Sequence, residues 1–306
     1  MKQRAQRFRP MGNLFRFGSY VFICLSAASL WAQAPLQITA VANSADFKSG
    51  MPQRGSVASI FLTGLDGPGG VIVNTQSPLL NQLLDFSVWI NFSPAPILSV
   101  AFEDAFQQIN VQVPWEGVRD PMFVEVIQGS RRATFQTPFK NAGFYDWTPA
   151  PGWSVFFVDA TGHAIMQHAA DQTPVTPQRP AHGGENVIAY AINLGPVSSP
   201  PPTGSSAPPN VPSPFNPNGI GPYVCDGADT LLIGAASVSP SYDGLAPGLV
   251  GVYQLKFTIP QGQTGDLMVS VRRDLTIFPL GAPCRSDQQH TTLSINSASA
   301  LINVQE

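Results

Sequence analysis

Four histidines (His163, His168, His182, His290), two carboxylate pairs (Glu103 with Asp104, Asp226 with Asp229) and four tryptophans (Trp89, Trp115, Trp147, Trp153) are the side chains of this 306-residue chain that type and spacing single out for chemistry. His163 and His168 stand five apart, which puts them on one face of neither a helix nor a strand; they make a poor pair of metal ligands and read as solvent-exposed loop histidines. The carboxylate pairs could act as acid and base or bind calcium, but neighbouring acids in turns are ordinarily solvated, and calcium asks for six or more oxygens. No Gly-x-Ser-x-Gly elbow, His-Glu-x-x-His, phosphate-binding loop or EF-hand pattern occurs. The expectation is a protein with no catalytic residue, no metal ligand set and no cofactor. Aromatic side chains offer another route to function, because exposed indoles stack on sugar rings. Trp89 falls in an alternating segment and reads as core. Trp115 follows Pro114 at a strand end and Trp153 follows Pro151-Gly152, so these two are the candidate ligand contacts, against a competing role in packing.

Which residues belong to the fold is decided at the N-terminus. Residues 1–16 carry Lys2, Arg4, Arg7, Arg9 and Arg16 and no acid, residues 17–30 are an apolar run, and Ala32-Gln33-Ala34 is a small-x-small cleavage site. That order is a secretory signal peptide over residues 1–34, with an apolar run short for a bilayer span. Cys24 does not make it a lipoprotein signal, because Ile23 stands where lipid attachment wants a small residue. Cleavage leaves 11 basic against 19 acidic side chains, a net charge of −8. So acidic a chain has no electrostatic footprint for nucleic acid or anionic lipid, and the mature part has no apolar stretch of transmembrane length. Export also places Cys225 and Cys284 where thiols oxidise. A disulfide between them would close a loop of about 60 residues and stabilise the fold by roughly 4 kcal/mol; two buried thiols are the alternative.

The elements that must position any site are short strands, since 30 Pro and 27 Gly interrupt the chain too often for long helices, while 43% hydrophobic residues supply a core. The chain also resembles itself. QINVQVP (108–114) and QLKFTIP (254–260) both alternate apolar and polar residues and end in Pro. Upstream lie GSVASIFLTGL (55–65) and GENVIAYAINLG (184–195); downstream lie the hairpin-like stretches 123–139 and 267–280. The offset is 129 residues at the first strand and 146 at the second, and a segment at 196–222 with ten prolines accounts for the difference. Its composition favours an exposed, extended loop. Several strands with turn signals, repeated twice, predict an all-β fold of two consecutive Ig-like β-sandwich domains, over 35–145 and 183–306. The joining segment 146–182 holds Trp147, Trp153, Phe156 and Phe157 and is too apolar to be a free linker; it is expected to pack between the halves and to turn in a hairpin near 159–163.

Four segments carry a family resemblance: ITAVANSADFKSGMPQRGSVASIFLTGL (38–65), QINVQVPWE (108–116), ENVIAYAINLGPVSSPPPTG (185–204) and YDGLAPGLVGVYQLKFTIP (242–260). Over nearly all of the mature chain they resemble the Solibacter uncharacterised C-terminal domain family. The resemblance implies two IPT/TIG-type Ig-like halves, a place among exported bacterial proteins, and no established enzymatic activity. The chain departs from the family around 102–106, in the Pro-rich insertion, and in a longer final hairpin over 278–292 that contains Cys284. The function expected from all of this is that of a secreted, non-catalytic interaction module whose partner is an extracellular protein or an envelope polysaccharide. The alternative is a carbohydrate-binding or carbohydrate-active accessory protein.

Overall fold

Apolar side chains at alternate positions close two separate cores. Ala58, Ile60 and Leu62 meet Ile109, Val111 and Val113 in one, and Val187, Ala189 and Ala191 meet Tyr253, Leu255 and Phe257 in the other. The computed structural model describes residues 34–103, 106–116, 121–137, 152–209, 212–216, 224–278 and 289–306. Among them no helix occurs, so none is long and apolar enough to cross a membrane.

The N-terminal half contains β1 (Gln37–Asn43), β2 (Val57–Thr63), β3 (Gly70–Val73), β4 (Gln82–Leu83), β5 (Phe86–Ile90), β6 (Ser93–Ala95), β7 (Ile97–Glu103), β8 (Phe106–Gln112), β9 (Met122–Gln128) and β10 (Arg131–Thr137). They form a sheet of order β1-β2-β8-β7-β3, facing a sheet of order β10-β9-β5-β4 with β6 beside β5. The C-terminal half contains β11 (Met166–His168), β12 (Ala181–His182), β13 (Asn186–Ala191), β14 (Val224–Ile233), β15 (Ala236–Val238), β16 (Tyr242–Leu245), β17 (Tyr253–Thr258), β18 (Gly265–Ile277), β19 (Thr291–Asn296) and β20 (Ala300–Gln305). Here the sheets are β11-β13-β17-β16 and β12-β20-β18-β14-β15, with β19 beside β18. The fold is all-β, built of antiparallel sheets stacked around their apolar faces, with β12–β20 a parallel exception.

The internal repeat is reproduced in the hydrogen-bond register. Ile60 opposes Ile109 and Ala58 opposes Val111; at the repeat offsets Ala189 opposes Leu255 and Val187 opposes Phe257. Downstream, the first copy is the expected hairpin, β9–β10 turning at Gly129 with φ +56°. The second copy is not a hairpin. Residues 265–277 run as one 13-residue strand, because nothing in its middle supplies turn chemistry and the alternation continues inward through Val269, Val271, Arg273 and Leu275.

The Pro-rich segment also departs from expectation. Val197, Ala207, Ser213 and Phe215 are buried, so the described part of 196–222 is a packed strap and not an exposed loop. Pro removes backbone donors, but the few that remain are used: Gly204 N donates to Gln112 Oε1 at 2.7 Å, Leu79 N donates to Gly204 O at 2.8 Å, and Phe215 N donates to Asp243 O at 2.8 Å. The strap thus reaches both halves. A second junction centres on buried Asn193, whose left-handed φ of +60° aims its amide across the halves. Its Oδ1 accepts from Gln53 N (2.8 Å), its Nδ2 donates to Ser154 O (2.9 Å), and its backbone N donates to Ser56 Oγ (3.0 Å). In the joining segment Trp153 and Phe156 are buried, Trp147 lies outside the described residues, and the hairpin closes with Asp159 N donating to His163 O at 2.9 Å.

Candidate functional site

In a two-layer sandwich every second side chain of a strand leaves the core, and what those side chains are decides what the outer face can do. On the first sheet the outward residues form two rows across the strands: Ala42, Ser59, Asn110, Ser99 and Val73, then Ala40, Phe61, Gln108, Ala101 and Val71. The polar members of these rows bond to one another. Ser59 Oγ donates to Asn110 Oδ1 (2.8 Å), Gln108 Nε2 donates to Asn110 Oδ1 (2.6 Å) and to Ser59 Oγ (3.1 Å), and Asn110 Nδ2 donates to Ser99 Oγ (3.0 Å). Ser44 Oγ lies 2.9 Å from Ser59 Oγ; since the Ser59 proton goes to Asn110, Ser44 is the donor. The ladder therefore holds each group in one orientation. Ser59 is fully buried and Gln108 is 8% exposed, so these two orient the network from beneath, and the half-buried Ser44, Ser99 and Asn110 are its members nearer solvent.

This ladder floors a cavity of about 370 Å³. Phe47, 56% exposed, stands on one side with its ring edge-on to Phe61 at 6.0 Å, and Phe157 and Val252 of the C-terminal half close another side. Gly251 makes that closure feasible: it sits at φ +71°, and a methyl group there would fall 2.8 Å from Gly55 O and 2.9 Å from Val57 Cγ2. Among the described residues none that lines the cavity is charged. The C-terminal half does not repeat the ladder, because Ser59 and Asn110 correspond there to Ile188 and Lys256. Neutral amides and hydroxyls between aromatic and aliphatic walls can bind a ligand by reciprocal hydrogen bonds and apolar stacking.

The residues singled out in the sequence lie elsewhere. Trp153 is 4% exposed, in the core of the C-terminal half. Trp115 is half-buried against that same core; its indole occupies the space beside Gly55, where a methyl group would fall 2.1 Å from the ring. Both tryptophans serve packing and neither lines the ladder cavity. Trp89 corrects the expectation in the other direction: its strand alternates, but it is Phe86, Val88 and Ile90 that face the core, and Trp89 is 37% exposed. Cys225 lies in β14, whereas Cys284 falls outside the described residues, and so does their pairing.

The carboxylate pairs do not assemble. Asp229 is fully buried with both oxygens bonded to buried Arg273, Nε to Oδ1 at 2.7 Å and Nη2 to Oδ2 at 2.5 Å, while Asp226 is exposed. Glu103 ends β7 in solvent, and Asp104 lies outside the described residues. His168 is not a loop histidine on the surface: it is 3% exposed, with Nδ1 2.5 Å from Glu185 Oε1 and Nε2 3.3 Å from Arg179 O. Among the described residues no group of three or more His, Cys, Asp or Glu is placed to hold a metal ion.

No protein-family model matches the chain, and no curated protein matches it. Among solved structures it is similar to SGBP-B of the Bacteroides ovatus mixed-linkage glucan utilization locus, solved in complex with a mixed-linkage heptasaccharide. Identity is 9% and the TM-score 0.33, over 90% of this chain and 46% of that one. It is also similar to an endo-fucoidan hydrolase of glycoside hydrolase family 107, at 12% identity and a TM-score of 0.16, over 88% of this chain and 39% of that one. The chain thus spans less than half the length of either.

Proposed function

We propose that this protein is an exported, non-catalytic interaction module of the cell envelope that binds an uncharged polysaccharide on the outer face of its first sheet. The observation that carries the reading is the ladder Ser44–Ser59–Asn110–Ser99 with Gln108: preoriented donors and acceptors, without a charge, beside the Phe47 ring. A sugar chain matches it, with hydroxyls that donate and accept and C–H faces that stack on aromatic rings. Export is supported by the order of residues 1–34, and the absence of catalytic chemistry by the resemblance to the Solibacter family and by the buried, paired state of Asp229 and His168. A second reading, addition of a peptide strand from an extracellular protein, draws on the edge strand β3, where Val71 and Val73 are 58% and 60% exposed.

Affinity electrophoresis of the full chain through gels containing neutral polymers (β-glucan, xylan, mannan) or acidic ones (polygalacturonate, alginate) tests the proposal. Retention is expected in a neutral gel and not in the acidic ones. Asn110→Ala, which cuts the ladder at its centre, should weaken binding roughly tenfold or more, the equivalent of about 1.4 kcal/mol. Free migration in every neutral gel would reject the glycan reading and leave strand addition at β3.

A further inference from the structure

A second cavity, of about 740 Å³, opens on the same sheet beyond Phe61. The two cavities follow one another along each strand. On β2, Val57 and Ser59 line the first and Thr63 the second; on β8, Asn110 and Gln108 line the first and Phe106 the second. Phe61 lies between them, edge-on to Phe47, and Phe106, 47% exposed, rises at the far end. From Val57 to Thr63 the strand spans about 20 Å at 3.4 Å per residue. Phe157 and Val252 stand at one end of the track, and Glu103 and Phe106 line it at the other. Among the described residues its lining contains no Lys or Arg, and Glu103 is its single charged side chain.

We infer that the two cavities form one track for a linear, neutral glycan of several sugar units. The chain lies along the strands with its terminal unit against the Phe157–Val252 wall and its continuation over Phe61 and Phe106. The inference rests on the glycan reading above and adds three things to it: an extended ligand, recognition of a chain end, and exclusion of acidic polymers. The last follows because an anionic chain would meet the Glu103 carboxylate, while Arg131, which reaches the Gly64 carbonyl of the same cavity at 2.7 Å, is already paired with Asp66. The walled end seats a terminus.

The test is calorimetric titration of the full chain with the disaccharide and the hexasaccharide of whichever neutral polymer retards it in the gel, with two end-blocked hexasaccharides as probes, one reduced at its reducing end and one alkylated on its non-reducing terminal unit. The hexasaccharide is expected to bind at least tenfold more tightly than the disaccharide. Phe106→Ala should bring it down toward the disaccharide value while leaving disaccharide binding unchanged, and exposed Phe106 can be truncated without disturbing the core. One of the two end-blocked forms, the one altered at the seated terminus, is expected to lose binding. Equal affinities for the two lengths with no effect of Phe106→Ala would overturn the track while leaving the ladder site standing; binding of both end-blocked forms at full strength would overturn the terminal seat. Failure of every neutral polymer to retard the protein would instead remove the reading on which the inference depends.

Discussion

At Asp243 the fold holds a carboxyl where it is costly to ionise. Burial pushes its pKa from 3.8 up to about 7, the neighbouring Asp229 carboxylate pushes the same way, and the Arg273 guanidinium offsets them in part. Arg273 has its fork engaged by Asp229, with the Phe215 ring of the strap 3.9 Å from its guanidinium carbon, so it answers only part of Asp243's charge. A carboxyl whose folded pKa lies above its unfolded one binds its proton more tightly when folded, so stability is complete below about pH 4, declines through the interval up to about 7 and is level above it. A tenfold difference in proton affinity between the folded and unfolded chain is worth about 1.4 kcal/mol, so chemical denaturation at pH 5 should give a stability higher than at pH 8 by a few kcal/mol. Asp243→Asn should flatten that slope and stabilise the protein at pH 8; an unchanged slope in the variant would place its origin elsewhere. His168 shows why chemistry at the scale of single residues is hard to read from sequence: Glu185, which bonds it, is 17 positions away, and only the β11–β13 pairing brings the two together.

Glycines explain how elements come into contact. Gly244 in β16 lies under the strap, and a methyl group there would fall 2.3 Å from Ser213 O and 2.7 Å from Pro214 Cα. Gly55 combines a φ of +77° with the Trp115 ring. Gly55→Ala should therefore cost both left-handed strain and displacement of the indole, together at least about 2 kcal/mol, seen as a lowered thermal midpoint and a change in tryptophan emission. A variant with wild-type midpoint would mean that the turn relaxes. Element types are legible in the sequence where alternation is strong, as in β2, β8, β13 and β17. The long β18 reads as a hairpin only through its correspondence with 123–139 in the first half. Arg273 instead occupies an inward position because β14 presents Asp229 directly opposite it.

The described residues from Ala34 to Glu306 form one compact unit around two cores. Between those cores the contacts are largely polar and directional. Besides Asn193 and the strap, Ser154 Oγ donates to Asp46 Oδ2 at 2.7 Å, and Val158 N donates to Ala45 O at 3.2 Å. Asn193→Ala would leave the Gln53 amide and the Ser154 carbonyl in the buried junction without their partner. It should cost about 2–4 kcal/mol in denaturant unfolding, and Asn193→Gly, which retains the backbone freedom, should lose nearly as much. If the glycine variant were as stable as wild type, the left-handed backbone and not the amide would hold the junction. Because Phe157 and Val252 wall the ladder cavity, loosening this junction is also expected to weaken glycan retention in the gel assay, an effect absent from a variant destabilised elsewhere.

By itself the sequence determined the all-β class, the repeated strands, and the absence of any familiar catalytic motif, since all of these rest on local alternation, turn residues and short-range spacing. It did not reveal the ladder. Ser44, Ser59, Ser99, Gln108 and Asn110 are ordinary outward polar residues in their own segments, and such residues normally face water. Their bonding depends on β2, β8 and β7 lying side by side, and on the C-terminal half walling one end of that face. The same holds for the strap, whose composition reads as solvated until Arg273, Asp243 and Gln112 give it partners. Alternation states which side chains leave the core; only the tertiary structure decides which of those outward faces another element covers and which are left open to a ligand.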